Sequence, residues 1–116
     1  MDLLIDAAAW QQNFSAWMRD LSGYETQTTF YQDFTIADAF GEAAVIDTFD
    51  RSFTAWRTNV VYLTELVLVL NHKIWEWHGK NDNLAKVYDK LWRKADGYCM
   101  DNLKDDDLMY YLRVTD

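Results

Sequence analysis

A chain of 116 residues, half of them apolar and carrying a formal charge of −8, holds enough material for one hydrophobic core, which excludes a disordered segment and predicts one domain over 1–116. The absence of proline and the presence of only four glycines argue against a turn-rich β sandwich and for long helices. The lone Cys99 excludes an internal disulfide and gives no sign of an oxidising compartment.

The opening MDLLIDAAAW has no basic region of the kind a secretion signal carries. Glu65, His72 and Lys73 interrupt the one apolar stretch long enough to suggest a membrane span. The expectation is therefore a cytoplasmic protein with no membrane partner. Charge is unevenly spread. Residues 1–50 carry nine acids against Arg19 alone, residues 73–95 are net basic, and residues 96–116 are acidic again. Direct nucleic-acid binding is not expected from this pattern, whereas an acidic face that meets a basic protein is.

In chain order, Trp10, Phe14, Trp17, Met18 and Leu21 form an apolar stripe that predicts a helix over Asp2 to Leu21, stopped by Ser22 and Gly23. The run YETQTTFYQDF over Tyr24 to Phe34 is rich in threonine and aromatics and reads as an ordered loop or short extended segment. Thr35 is placed as the cap of a short helix over Ile36 to Phe40, with Gly41 ending or kinking it. Glu42 then opens a helix with Val45, Phe49, Phe53 and Trp56 on one side and Asp47, Asp50 and Arg51 on the other.

Asn59 is a candidate cap for the next helix, so a break is expected between Arg57 and Asn59; one continuous helix from Glu42 to Trp77 is the alternative. Val60 to Trp77 reads VVYLTELVLVLNHKIWEW and shows apolar residues on two faces, the mark of a central buried helix. A turn over His78 to Asn83 follows, with Asp82 or Asn83 capping a helix over about Asn83 to Asn102 that packs antiparallel to the central one. Gly97 inside that helix predicts close packing or a bend. Asp105 is read as the cap of a last short helix, with Asp106 and Asp107 in its first turn and Leu108, Leu112 and Tyr111 docking it. The fold class expected is all-α, a compact helical bundle of about four main helices plus short ones.

Candidate chemistry is sparse. Glu65, His72 and Glu76 step by seven and four along the central helix, where two carboxylates and an imidazole form a candidate set for a divalent metal, with Asp96 as an added ligand. The competing reading makes Glu65 and His72 hydrogen-bonded internal groups and leaves Glu76 in solvent. No Glu-x-x-His pair, phosphate-binding glycine loop, nucleophile elbow or zinc spacing occurs in the chain, and Cys99 lies on an apolar stripe as a small core residue. No cofactor and no enzymatic activity are expected.

Six tryptophans exceed the needs of one small core. Trp10, Trp17, Trp56 and Trp92 fall on apolar stripes, while Trp75 and Trp77, two residues apart, cannot share a face, so one of them is expected at a contact surface. The protein-binding candidates are Asp38, Glu42, Asp47 and Asp50 in the acidic half, Trp75, and the tail cluster of Asp106, Asp107, Tyr110, Tyr111 and Arg113. For the tail, docking onto the bundle is the alternative.

YLTELVLVLNHKIW at Tyr62 to Trp75, LWRKADGYCMDNL at Leu91 to Leu103 and the ending YYLRVTD resemble a family of small proteins of phages, prophages and mobile elements of gut bacteria, known as a domain of unknown function. The resemblance extends more loosely to FYQDFTIADAFG and supplies no catalytic residues. It implies a phage or mobile-element origin, acting in a bacterial host cytoplasm. Small acidic phage proteins often block host factors, so the leading expectation is a non-enzymatic protein that binds a host or phage protein, with anti-defence inhibition of the anti-CRISPR kind as its sharper form. The alternatives are a nucleic-acid mimic using Asp33, Asp38, Glu42, Asp47 and Asp50, a metal-dependent helical enzyme using Glu65, His72 and Glu76, and a self-associating structural protein.

Overall fold

The computed structural model describes residues 27–116. The helix expected over Asp2 to Leu21, with Trp10 and Trp17, lies outside the described residues. All regular structure among the described residues is helical: α1 is Gln27–Phe40, α2 Glu42–Trp56, α3 Val60–Trp77, α4 Asp82–Asn102 and α5 Asp105–Thr115. The bundle is all-α, as the composition predicts, and none of these helices is long and apolar enough to cross a membrane.

α3 is the axis of the assembly. Tyr62 through Leu70 are buried without interruption, so every side of the helix is covered over those turns. Asn59 starts it by accepting the backbone N–H groups of Val61 at 3.0 Å and Tyr62 at 3.3 Å, which makes Glu42–Trp77 two helices. The break expected between Arg57 and Asn59 is where the structure has it.

α4 runs back along α3. Ile74 lies beside Ala85 and Asp89, while Val67 lies beside Asp96 and Met100, so positions ascend on one helix as they descend on the other. Its apolar stripe is Leu84, Tyr88, Leu91, Ala95 and Cys99, all buried at steps of three and four. The cap is Asn81, which accepts the Leu84 N–H at 3.1 Å, and not Asp82 or Asn83. Asp82 instead folds back to accept the Gly79 N–H at 3.0 Å and closes the turn.

The reading of Tyr24 to Phe34 as loop or extended chain is corrected from Gln27 onward. Phe30, Phe34 and Ala37 are buried at steps of four and three, and burying that stripe outweighs the weak extended preference of threonine and aromatic side chains. Thr35 therefore lies within α1, well past its start, and caps nothing.

Gly41 alone separates α1 from α2, at φ 104° and ψ −174°, a region essentially confined to glycine. Gly97 is not tightly packed: a Cβ there would meet no heavy atom within 4 Å among the described residues. α5 begins after Lys104 and not with a capping Asp105 side chain; Asp105 itself adopts a left-handed φ of 56°. Three acids in its first turn complement the helix dipole, and Tyr111, buried deeper than Leu108 or Leu112, anchors it.

Candidate functional site

α1 carries three stripes, each with its own neighbour. Phe30, Phe34 and Ala37 enter the core. Tyr31, Thr35 and Asp38, at i, i+4 and i+7, meet Lys73, Glu76 and Trp77 of α3. Asp33, Ile36 and Phe40 face a groove shared with α2. The second stripe holds a part-buried polar network around the buried Lys73, and the third an exposed face.

Lys73 is the centre of the second stripe. Its side chain is 0% exposed, and Nζ donates to Thr35 Oγ1 at 2.8 Å, Asp38 Oδ2 at 2.8 Å and Glu76 Oε2 at 2.9 Å. An ammonium has three protons, so all are used. Nζ also lies 4.4 Å from the centre of the Tyr31 ring, where the negative face of the ring favours a cation. Asp38 accepts the Trp77 indole N–H at 3.0 Å on the same oxygen and the Tyr88 hydroxyl on the other; that hydroxyl lies 3.4 Å from the Phe34 carbonyl as well. The Tyr31 hydroxyl donates to Glu76 Oε1.

These contacts set the acidities. Burial alone would raise the Glu76 carboxyl, but the Tyr31 hydroxyl and the Lys73 ammonium outweigh it and hold the group below its usual value of 4.5. Burial and the adjoining Glu76 push Tyr31 up to about 12, and burial with the Asp38 hydrogen bond raises Tyr88 further. At neutral pH Glu76 is therefore a carboxylate, and Tyr31 and Tyr88 are neutral phenols that donate to carboxylate oxygens. It ties α1 to α3 and α4 across 35 to 50 residues of sequence. A network closed around one buried cation in this way suits holding the register and rotation of a helix more than supplying a reactive group.

The metal set expected on α3 is not assembled. Glu65 is buried near Tyr110, Glu76 belongs to the Lys73 network and is not left in solvent, and the His72 ring meets the Tyr31 ring edge-on at 5.3 Å. Asp96 accepts the Tyr111 hydroxyl. Among the described residues no three His, Cys, Asp or Glu side chains are grouped as a metal would need. Cys99 is fully buried, and burial pushes its thiol up to about 12, the opposite of an activated nucleophile.

Ile36 and Phe40 of the third stripe are exposed and Asp33 partly so. Phe40 is 78% exposed and Ile36 61%, and with Asp33, Ala37, Ala44, Asp47, Thr48 and Arg51 they line a groove of about 260 Å³. A second hollow of about 230 Å³ continues it through Asp33, Thr48, Arg51, Ser52, Ala55 and Trp56. The groove's lining joins Ala37 of α1 with Ala44 and Thr48 of α2, two helices separated only by Gly41. Arg51 bonds Asp47 at 3.2 Å along α2.

The binding candidates separate accordingly. Glu42, Asp47 and Asp50 are exposed on α2, and Asp106, Asp107 and Arg113 are exposed on α5. Tyr110 is half-buried. Asp38 and Tyr111 are turned inward and not exposed as expected from the sequence: Asp38 pairs with Lys73, and Tyr111 donates to Asp96 and anchors α5. Trp75 is 53% exposed while Trp77 turns inward to Asp38, so Trp75 is the tryptophan of that pair at the surface. Trp56 and Trp92 are half-buried against the core. Phe40 and Ile36 were missed as surface groups, although Asp33, Ile36 and Phe40 recur at helical steps once α1 is drawn as a helix. Neither a family model, nor a curated protein, nor a solved structure matches the chain.

Proposed function

We propose that this chain works by binding another protein, without catalysis, and that the α1–α2 face is its contact surface. One observation carries the reading: Phe40 and Ile36 stand exposed near Glu42, Asp47 and Asp50, exposed acids of α2, while Arg51, the basic residue of the groove, is paired with Asp47. Large exposed apolar side chains rimmed by charge are a common form of protein-recognition surface. The polar groups with the chemistry for catalysis, by contrast, are used inside the Lys73 network.

Together with the resemblance of its second half to phage and mobile-element proteins, the face supports a role in a bacterial cytoplasm, binding and blocking a basic host or phage protein, with anti-defence inhibition as the specific form. The mimic alternative is weakened by Asp38, which faces Lys73 and is not available to imitate a phosphate.

Affinity capture from bacterial lysate with the full chain, followed by plating of phage on a defended host that expresses it, tests this role. A stoichiometric basic partner and raised plating are expected. Recovery of no specific partner overturns protein binding, and unchanged plating overturns the anti-defence form.

A further inference from the structure

Resting on the protein-binding reading, we infer that the α1–α2 groove takes a cationic segment of the partner, with one arginine or lysine at Asp33 and a neighbouring apolar side chain against Ile36 and Phe40. Asp33 lines both halves of the groove. Its carboxylate is partly buried and accepts no hydrogen bond among the described residues; Arg51, the cation of the groove, acts on it by charge and hydrogen-bonds Asp47. Burial raises the Asp33 carboxyl and the nearby Arg51 charge only partly offsets this.

A part-buried carboxylate beside an apolar wall, with Arg51 engaged by Asp47, gains from a guanidinium or ammonium that enters, and an ion pair partly shielded from water there is stronger than one on an open surface. The lining suits the stem of such a side chain and an apolar neighbour: Ile36, Ala37 and Phe40 come from α1, and Ala44 and Thr48 from α2. The continuation toward Ser52, Ala55 and Trp56 gives the groove length along α2, which suits a chain segment more than a compact small molecule. Acids exposed close by, Glu42, Asp47 and Asp50, favour approach of a cationic segment.

Selection of a random peptide library on the immobilised full chain tests the inference whatever the partner's identity. Enriched peptides should carry arginine or lysine within a few residues of an aromatic or branched aliphatic side chain. Their affinity should fall at least tenfold in Asp33→Asn and in Phe40→Ser, fall with rising salt, and stay unchanged in Lys86→Ala on α4. Neutralising Asp33 removes a carboxylate that burial disfavours, and Phe40 is mostly exposed, so both variants keep the helical fold, checked by circular dichroism.

Peptides without cations, or affinities unchanged in both variants, overturn the inference. So does light scattering that shows an oligomer of the full chain dispersed by Phe40→Ser, which would make a second copy the occupant. A lysate partner that binds both variants as well as wild type would leave protein binding standing and remove only the groove.

Discussion

Lys73 of α3 and Asp38 of α1 stand 2.8 Å apart with both side chains inside the protein. Removing either leaves a buried charge without its counter-ion, which costs about 3 kcal/mol or more. Lys73→Met should therefore lower the urea midpoint far more than Arg51→Ala, whose pair with Asp47 is exposed and contributes below about 1 kcal/mol. Equal effects of the two substitutions on the denaturation curve would contradict the network as drawn.

Stability should fall at both ends of the pH range, for opposite reasons. Glu76 is held below 4.5, so its contribution is present above pH 4.5 and is lost as pH falls through the lower folded value. Tyr31 is raised from 10 to about 12, so its contribution is complete below pH 10 and is lost as pH rises toward about 12. Chemical denaturation across pH checks this: Glu76→Gln should flatten the acid limb and Tyr31→Phe should make the alkaline limb shallower.

Two glycines should respond to alanine in opposite directions. At Gly41 the backbone region is closed to a Cβ, and Gly41→Ala should destabilise by about 1–3 kcal/mol. Gly97 is helical with space around it, so Gly97→Ala should stabilise by about 1 kcal/mol through helix propensity alone. Thermal melts of the two variants should move to either side of wild type.

Cys99 should behave as a reporter of unfolding. With the thiol fully buried and its acidity suppressed, maleimide should label the native chain only as fast as it opens, and at once in denaturant. Rapid labelling of the native chain would show that α4 and α5 separate easily around Tyr111.

How much of this was legible in the sequence depends on whether a residue answers to its neighbours in the chain or to distant ones. Val60 to Trp77 was legible because apolar residues on two faces of one helix demand burial, and the break at Asn59 because a capping side chain acts within three residues. α1 was misread because threonine and aromatics report a local preference, whereas the burial of Phe30 and Phe34 comes from helices far along the chain. The same applies to Lys73. Its spacing from Glu76 and Trp77 was visible, but Tyr31, Thr35 and Asp38 form a matching stripe only once α1 is helical. The surface role given to Asp38 failed with it.

The single-residue corner at Gly41 has a bearing on recognition. Two helices joined through one residue have less freedom to move apart than helices on a long loop, so the spacing between Phe40 of α1 and Thr48 of α2 is set more by backbone than by an incoming guest. A chain that lodges there must give up its own freedom, while its host gives up little. Lengthening the corner by a few flexible residues would then slacken the grip chiefly through faster escape, with the rate of arrival nearly as before.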